Sequence, residues 1–334
     1  MAYTSPLLYT FATLFMQVHY NIDHLPTFRN AVITIGTFDG VHMGHRQILD
    51  KLKEEARNIN GETVIITFHP HPRKVVNTGA GIQLINTLSE KIELLDVLGV
   101  DHLVVVPFNE VFSNQSAEDY IGNFLISKFH PHTIIIGYDH RFGKGRKGDY
   151  LLLEQMAPVY NYQLKEIPKH VLDEIAISST GIRNALLNGN IDIADKLLGY
   201  EFFFEGEVVD GDKLGRKLGY PTANLHIKDE EKIIPGNGIY AVYANVNDEW
   251  SPDSYREVDG RNKMKGMMSI GVRPTVGGTK RVIEVNIFDF DEDIYGKTLR
   301  VYVKKYLRPE IKFDSLDELV KQIDEDKKDS LKVL

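Results

Sequence analysis

The first half of the chain alternates short aliphatic runs with amphipathic segments. The aliphatic runs are Ala31–Gly36, Thr63–Phe68, Leu103–Val106 and Thr133–Gly137. The amphipathic segments with helical spacing are 42–57, 89–98 and 117–128. Nearly continuous aliphatic strands separated by helices indicate a parallel sheet that is covered on both faces. Because such sheets bind ligands beyond the carboxyl ends of their strands, the loops after these runs are candidate site segments.

The pattern changes at about Tyr200, where strand-like segments separated by turn residues replace the strand–helix alternation. These segments are Phe202–Val209, Ile239–Val246, Lys265–Val272, Arg281–Asp289 and Leu299–Tyr306. Short strands with few helices between them predict an antiparallel sheet or a small barrel. A helical bridge over 179–198 precedes these strands, and a charged amphipathic helix over 315–328 follows them. We therefore divide the chain into two unrelated domains, residues 16–185 and 186–334.

The composition fits a two-domain globular protein and excludes several other classes. A length of 334 residues is typical of two domains, and 43% hydrophobic with 26% charged residues excludes wholesale disorder. A formal net charge of -8, with acids and bases interspersed, argues against a nucleic-acid partner that would need a basic face. The absence of cysteine excludes disulfides, iron–sulfur clusters, thiolate nucleophiles and cysteine-based zinc sites.

The chain has no apolar run of the ~18 residues needed to span a bilayer, so we expect no membrane partner. Residues 3–16 are apolar, but they lack the basic leader and the small-residue cleavage site of a signal peptide. Coherent strand and turn signals begin just after Met16. We therefore expect a short extension ahead of a start near Met16, and a cytoplasmic protein.

The strongest local pattern is GTFDGVHMGH at 36–45, which follows the first aliphatic run and opens the first helix. Glycines let the backbone approach a ligand closely, and a helix N-terminus offers free amides to an anion. His42 and His45 are three residues apart on one helical face, so both imidazoles can reach one phosphate group. Such a pair donates hydrogen bonds to oxygens that gain charge when an α-phosphoryl is attacked. The strand–glycine–helix context disfavours the alternative, a glycine turn with two solvated histidines.

Three further segments lie beside predicted strands or helices and carry side chains suited to phosphate. ISSTGIR at 177–183 combines N-cap hydroxyls with Arg183 in the first turns of a helix, although an ordinary N-cap explains it equally well. FHPHP at 68–72 holds two histidines but lacks the third ligand of a usual metal site. GYDHRFG at 137–143 leads into a basic loop, which either covers phosphates or is a solvated surface loop.

The second half contains a glycine-dense stretch over 206–224 that ends in Tyr-Pro-Thr-Ala-Asn. Because Pro221 fixes φ, Thr222 and Asn224 are held in an extended geometry in which alternate side chains share one side. Hydroxyl and amide oxygens suit Mg²⁺ carried by ATP phosphates, and the alternative is a polar surface turn. Farther on, Glu284 lies among apolar neighbours in an alternating strand, and burial there would raise its pKa and make it a useful base. From the residues alone, an ordinary glutamate that faces water is the simpler interpretation.

In order and spacing, the four motifs of the first half resemble the adenylyltransferase half of the bacterial bifunctional riboflavin kinase/FMN adenylyltransferases, the FAD synthetases. The second half resembles the riboflavin kinase domain of this family through LGRKLGYPTAN, GIYAV, SIGVRPT, EVNIFDF, DIYGK and YLRPEIKF. Together the matches cover about residues 16–331. The resemblance implies an α/β protein, with a Rossmann-like parallel-sheet nucleotidyltransferase domain followed by an antiparallel six-stranded β-barrel. It implies phosphorylation of riboflavin to FMN with ATP, then adenylyl transfer from ATP to FMN, which gives FAD and pyrophosphate.

The resemblance also assigns roles to the residues that match the family's motifs. In the first domain it implies catalytic roles for His42, His45 and Arg183. The nucleotide-binding residues implied for that domain are Gly36, Thr37, Phe38, Asp39, Gly44, Asp139, Arg141, Ser178 and Thr180. In the second domain Glu284 would activate the ribityl hydroxyl, and Mg²⁺ would bind at Thr222 and Asn224. The ligand-pocket residues implied for that domain are Gly211, Arg216 and Tyr295 for ATP and Arg308 for the flavin phosphate.

One departure from the family is His140, where phenylalanine is more common. It leaves open a second hypothesis, in which the first domain serves another nucleotidyl acceptor, such as pantetheine phosphate or a nicotinamide mononucleotide. A third hypothesis is a flavin- or nucleotide-binding sensor without turnover. The intact His42, His45 and Glu284 argue against the sensor, because a degenerate protein is expected to lose such residues.

Overall fold

The computed structural model describes residues 16–76, 81–138, 140–167, 178–211, 214–247, 263–275 and 278–334. Within these residues a six-stranded parallel sheet is followed by a closed antiparallel barrel of six strands. The predicted fold class is therefore confirmed. No helix in this described part of the chain is long and apolar enough to cross a membrane.

The parallel sheet has the spatial order β1-β4-β3-β2-β5-β6. Its strands are β1 Gln17–His19, β2 Val32–Ile35, β3 Thr63–His69, β4 His102–Pro107, β5 Thr133–Gly137 and β6 Gln163–Ile167. The four aliphatic runs form the four central strands, as predicted. The two edge strands, β1 and β6, were not predicted, because they are short and largely polar and so carry no aliphatic run. The chain runs outward from β2 in both directions, which places a ligand crevice at the carboxyl end of β2.

Helices cover both faces of the sheet. They are α1 Met43–Asn58, α2 Pro72–Val76, α3 Leu88–Val97, α4 Glu110–Ser113, α5 Ala117–Asp119, α6 Ser127–Phe129 and α7 Tyr150–Tyr160. The predicted helix over 117–128 is one helical segment whose middle, Tyr120–Ile126, is π-helical. Val32 packs into the core on one face and Ile33 into the core on the other. This alternation explains why the central strands are apolar at every position.

The barrel closes in the order β10-β11-β8-β7-β12-β9. Its strands are β7 Phe203–Val209, β8 Ala223–His226, β9 Gly238–Asn247, β10 Met264–Thr275, β11 Gly278–Ile287 and β12 Thr298–Arg308. The sequence predicted all of these except β8, which is four residues long and directly follows a glycine- and proline-containing turn. The short helix α10 Leu214–Lys217 lies in the loop before β8.

The predicted bridge over 179–198 consists of two helices, α8 Ser179–Leu187 and α9 Ile191–Leu198. Gly189 separates them with a left-handed φ of 71°, a conformation that glycine adopts without steric cost. Ile182 and Leu186 of α8 pack into the same apolar core as the barrel interior. The final helix, α11 Leu316–Val333, is capped by Ser315, whose hydroxyl accepts a hydrogen bond from the Glu318 amide.

Helix α3 carries acidic side chains that are buried against the barrel. Lys232 donates hydrogen bonds to Glu90 Oε2 at 2.5 Å, to the Ile85 carbonyl at 2.7 Å and to the Phe203 carbonyl at 2.9 Å. Burial raises the pKa of Glu90 and lowers the pKa of Lys232, so each charge depends on the other. One turn later Glu93 accepts two hydrogen bonds from Arg300 of β12, at 2.6 and 3.0 Å. The sheet unit and the barrel are therefore joined by buried ion pairs.

Replacing Lys232 by methionine is expected to destabilise the protein by about 3–5 kcal/mol, because the Glu90 carboxylate would remain buried without its partner. The double variant Glu90→Met/Lys232→Met should recover most of this loss, since it removes both charges. Urea unfolding midpoints of the three proteins check the prediction. Lys51→Met, which breaks the exposed pair of Lys51 with Glu54, is the control and should leave the midpoint unchanged. A wild-type midpoint for Lys232→Met would contradict the role of the buried pair.

Candidate active sites

The first candidate site is the loop between β2 and α1. Phe38 and Val41 in this loop have left-handed φ angles of 47° and 37°, and Gly40 has a φ of 92°. Each left-handed non-glycine residue costs of order 1–3 kcal/mol, and burial of both side chains offsets this cost. The Phe38 ring is only 1% exposed and packs in the sheet core. In this conformation only the backbone of Phe38 is placed to contact a ligand, and its nucleotide-binding role stays a prediction.

His42 and His45 lie together at the start of α1. His42 is the N-cap, and its Nδ1 accepts a hydrogen bond of 3.3 Å from the His45 amide. The two rings stack with centroids 3.7 Å apart, so they share one face as predicted. Burial lowers the pKa of His42 to about 4 and holds the pKa of His45 well below its usual value. The pair is thus neutral at pH 7, and His42, whose Nδ1 is an acceptor, carries its proton on Nε2.

Gly44, between the two histidines, leaves room for this arrangement. A Cβ at Gly44 would lie 3.3 Å from the His42 ring, closer than most such contacts. Among the described residues, the buried Nδ1 of His45 has no hydrogen-bond partner. A polar atom that is buried without a partner costs free energy, and a bound ligand would supply the missing bond. These observations fit a site that the histidines share with a ligand.

Asp39 links the glycine loop to α8. Its Oδ1 accepts hydrogen bonds from the Ile85 amide at 2.9 Å and the Asn86 amide at 3.4 Å, while Oδ2 accepts one from Arg183. Arg183 Nε also donates to the Gln83 carbonyl at 2.5 Å. Because Asp39 is 2% exposed, its carboxylate serves these neighbours and not solvent. The glycine loop and the start of α8 are thus in contact, through Asp39, Ser179 and Arg183.

The start of α8 lies beside this contact. Ser178 is the N-cap and accepts a hydrogen bond from the Gly181 amide at 3.1 Å. The Ser179 hydroxyl donates to the Asp39 carbonyl at 3.0 Å, and Thr180 is exposed. The N-terminus of α8 therefore faces the same loop as the N-terminus of α1. Two helix starts that converge on one loop favour an anion between them.

The loop after β5 is described only in part. Asp139 lies outside the described residues. Arg141 pairs at 2.6 Å with Asp149, the N-cap of α7, and His140 stacks on Phe142 with centroids 5.8 Å apart. A 3₁₀ turn at Lys144–Arg146 follows. The nucleotide-binding roles of Asp139 and Arg141 stay predictions.

Lys91 is a residue of this site that the sequence reasoning missed. It lies in the first turn of α3, and its Nζ donates a hydrogen bond of 2.6 Å to the Thr37 carbonyl. Burial lowers the pKa of Lys91 to about 8, although the nearby Asp39 carboxylate opposes this shift. A lysine within a charged helix turn gives no distinctive sequence signal, so only the fold reveals its position.

The second candidate site lies where β8 and β11 pair. Asn224 and Glu284 are directly opposite each other in the antiparallel register, so their side chains are cross-strand neighbours. Gly211 lies against the Asn224 amide. The predicted Mg²⁺ ligand and the predicted base, which are 60 positions apart in the sequence, are therefore brought together by the barrel.

Two cavities flank this pairing. The first has a volume of about 440 Å³, and its lining includes Arg216, Thr222 and Tyr295. The second has a volume of about 530 Å³, and its lining includes Thr222, Glu284 and Arg308. Thr222 lines both cavities. Two of the predicted ATP residues, Arg216 and Tyr295, therefore line one cavity, and the predicted flavin residue Arg308 lines the other. The third predicted ATP residue, Gly211, lines neither.

The Glu284 carboxylate is only partly buried. Its side chain is 27% exposed and pairs with Arg273 at 3.1 Å. Ile283 and Val285 are buried in the barrel core, and alternation along β11 turns Glu284 to the opposite face. The apolar neighbours therefore do not surround the carboxylate.

Arg308 is held by the final helix. Its guanidinium makes a bidentate pair with Asp326 of α11, at 2.7 and 2.6 Å. Tyr220, in the loop before β8, also donates a hydrogen bond to Asp324 of this helix. Helix α11 therefore fixes one wall of the larger cavity, whose lining includes Leu319 and Ile323. The flavin-binding role of Arg308 stays a prediction.

Replacing Gly211 by alanine is expected to reduce the activity of the second site by about 10²-fold, because a Cβ there would overlap the Asn224 amide and displace it. Gly81→Ala is the matched control, since a Cβ at Gly81 meets no atom within 4 Å. Steady-state ATP consumption by the barrel reaction checks the prediction. Equal rates for the two variants would show that the position of Asn224 is unimportant.

The comparisons with known proteins agree with this division into two sites. The FAD synthetase family model matches residues 25–181, and the riboflavin kinase family model matches residues 198–334. The bifunctional riboflavin kinase/FMN adenylyltransferase of Escherichia coli (strain K12) is 36% identical over 92% of this chain and 93% of its own length. That of Listeria monocytogenes is 34% identical, over 90% and 91%. The chain belongs to the bifunctional riboflavin kinase/FMN adenylyltransferase family.

A solved structure supports the same fold over both units. It is described as a macrolide-efflux protein from Streptococcus pneumoniae, and its TM-score to this chain is 0.79 at 31% identity. The alignment covers 94% of this chain and 98% of the other. The predicted family, enzyme class and function are confirmed: the protein makes FMN from riboflavin and FAD from FMN.

Proposed function

We propose that the two reactions of this protein, phosphorylation of riboflavin and adenylylation of FMN, take place at the two separate sites described above. The barrel phosphorylates riboflavin, and the parallel-sheet unit transfers AMP from ATP to FMN. The observation that carries the proposal is that the two constellations lie on different folds, each within its own matched family region. The division of the chain into 16–185 and 186–334, and a cytoplasmic location, belong to this proposal.

In the kinase reaction, ATP occupies the 440 Å³ cavity beside Arg216 and Tyr295, and riboflavin occupies the 530 Å³ cavity beside Glu284. The reacting groups meet at Thr222, which lines both. Glu284 accepts the proton of the ribityl hydroxyl while the hydroxyl oxygen forms a bond to the γ-phosphorus of ATP. The bond between this phosphorus and ADP breaks, and ADP is the leaving group. Arg308, at the wall of the larger cavity, faces the phosphate of the FMN that forms.

The donor set of this site fits Mg²⁺. The Thr222 hydroxyl and the Asn224 amide supply hard oxygen atoms, and these suit a small divalent cation that is already bound to ATP phosphates. When bound, Mg²⁺ neutralises part of the negative charge on the transferring phosphoryl group. Gly211 allows Asn224 to keep its position, because a larger residue would overlap its amide.

In the adenylyltransferase reaction, a phosphate oxygen of FMN bonds to the α-phosphorus of ATP, and pyrophosphate leaves. The neutral imidazoles of His42 and His45 donate hydrogen bonds to oxygens that gain charge. The Arg183 guanidinium binds the polyphosphate, either after breaking its ion pair with Asp39 or while keeping it. The N-terminus of α8, at Ser178 and Thr180, binds the same polyphosphate. The remaining contacts to the nucleotide come from Gly36, Thr37, Phe38, Asp39, Gly44, Asp139 and Arg141.

A product assay tests this proposal. The protein is incubated with riboflavin and MgATP, and in a second arm with FMN and MgATP, and the flavins are separated by chromatography. The expected result is FMN followed by FAD in the first arm, and FAD with one pyrophosphate per flavin in the second. If FMN forms but supplied FMN is not adenylylated, the sheet unit serves another acceptor and this part of the proposal is wrong.

A further inference from the structure

Helix α3 begins with charged side chains that are buried in two directions. Glu90 and Glu93 point to the barrel, where Lys232 and Arg300 pair with them. Lys91 lies between them in the sequence, and its ammonium contacts the glycine loop of the adenylyltransferase site. The barrel pairs therefore fix the helix from which Lys91 reaches this loop.

The Lys91 ammonium has N–H groups that donate no hydrogen bond within the described part of the chain. In the described part of the chain, its hydrogen bond is the one to the Thr37 carbonyl at 2.6 Å, whereas an ammonium has three N–H groups. The side chain is 7% exposed, so water has little access to it. A buried cation usually has a carboxylate partner, as Lys232 has in Glu90.

The charged groups that face Lys91 do not neutralise it. Asp39 is the near carboxylate, but it is paired with Arg183 and with the Ile85 amide. His45 and His71 also face the ammonium. Burial, and then the Lys91 charge itself, lower the pKa of His71 to about 4, so both histidines are neutral at pH 7. The local field is positive beside a loop whose helix starts favour anions.

A purely structural role explains less of the geometry. If Lys91 only held the Thr37 carbonyl, that carbonyl would still have the Thr67 hydroxyl as a donor, at 3.2 Å. The carbonyl therefore does not need a second, charged donor. Lys91 thus has unused N–H groups, and among the described contacts it has no carboxylate that pairs with it alone. Both observations indicate that its partner is an anionic ligand.

We propose that the Lys91 ammonium binds a phosphate group during adenylyl transfer, either of the ATP polyphosphate or of the FMN nucleophile. The inference rests on the proposed role of the sheet unit and adds a catalytic residue to it. An ammonium at this position attracts the anionic group to the loop and stabilises the charge that moves onto it in the transition state.

The test compares Lys91→Met and Lys91→Arg with the wild-type protein in the conversion of FMN to FAD. Lys91→Met should lower kcat/KM by about 10²-fold, and Lys91→Arg should recover part of this loss. Riboflavin phosphorylation should not change. A rise in KM for ATP identifies the polyphosphate as the ligand, and a rise in KM for FMN identifies its phosphate. Lys53→Met is the control, because Lys53 also donates to a backbone carbonyl, that of Leu98, but away from the site.

The pH profile of the wild-type enzyme gives a second measurement that requires no variant. Since kcat/KM reports groups of the free enzyme, it should fall as pH rises through about 8, where Lys91 loses its proton. The facing histidines titrate well below this range, so they do not contribute to the alkaline fall. The fall should be absent in Lys91→Met.

Three outcomes would overturn the proposal. Lys91→Met could keep wild-type kinetics, the wild-type profile could stay flat from pH 7 to 9, or both reactions of Lys91→Met could decline together with its unfolding midpoint. The last result would assign Lys91 a structural role only. If the wild-type enzyme itself makes no FAD from FMN, the proposed function is wrong. If the wild-type enzyme and Lys91→Met are equally active, only the proposed role of Lys91 is wrong.

Discussion

Replacing Glu284 by alanine is expected to lower riboflavin phosphorylation by about 10³-fold, the range of a lost general base, while FAD formation from supplied FMN continues. The carboxylate lines the 530 Å³ cavity and lies directly opposite Asn224, so it is placed to take the proton of a hydroxyl bound there. Chromatographic assays of both reactions, with riboflavin and with FMN as separate substrates, measure the effect.

The fold should survive this substitution. Arg273, the ion-pair partner of Glu284, also lies 3.5 Å from Glu310 and so keeps a carboxylate neighbour. Glu284→Gln, which retains the shape and loses the base, should be impaired nearly as much as the alanine variant. Glu207→Ala is the control, because Glu207 is also a strand glutamate in an ion pair, with Lys228, but lines neither cavity. A folded Glu284→Ala protein that phosphorylates riboflavin at the wild-type rate would exclude this base.

Replacing His42 by alanine should have the opposite pattern, with FAD formation from FMN reduced by about 10²–10³-fold and riboflavin phosphorylation unchanged. His42 is neutral at pH 7, and its Nε2–H is a hydrogen-bond donor beside the start of α1. Because its pKa is lowered to about 4, protonation of His42 does not limit the reaction between pH 6 and 8. Initial rates with FMN and MgATP over this range measure both effects.

The helix cap needs its own control, since His42 also accepts a hydrogen bond from the His45 amide. Asparagine is a good N-cap, so His42→Asn should keep the helix start and still lose adenylyl transfer. The exposed His24→Asn should be silent in both assays. If His42→Asn is as active as the wild type, the imidazole serves only as a cap. If it loses the kinase reaction as well, the separation of the two sites is wrong.

The sequence predicted correctly those parts of the fold in which the residue pattern is compatible with only one type of secondary structure. The four central strands of the sheet are buried on both faces, and their aliphatic runs were recognised without ambiguity. Strands β1 and β6 lie at the sheet edges and are largely polar, so no periodicity marks them. The π-helical stretch at Tyr120–Ile126 changes hydrogen bonding without changing composition. Such features depend on tertiary packing.

The motifs predicted where the two candidate sites lie, but they did not show which atoms face a ligand. Phe38 is part of the glycine loop, and only the left-handed backbone reveals that its ring turns into the core. The sequence left open whether Glu284 is buried among its apolar neighbours or faces water, and only the pleat of β11 shows that it lies on the other face. Lys91 has no motif at all, since its position depends on how α3 packs between the sheet and the barrel. Burial and orientation are properties of the assembled chain.

The position of Thr222 at the boundary of the two barrel cavities has a consequence for inhibition. If ATP and riboflavin occupy the two cavities as proposed, a single compound with an adenosine polyphosphate at one end and an isoalloxazine at the other would fill both and pass this side chain. Binding of one end would hold the other at a high effective concentration, so the tethered molecule would gain affinity over its separate halves without any additional contact. The hydroxyl at 222 marks the point where the linker must be narrow.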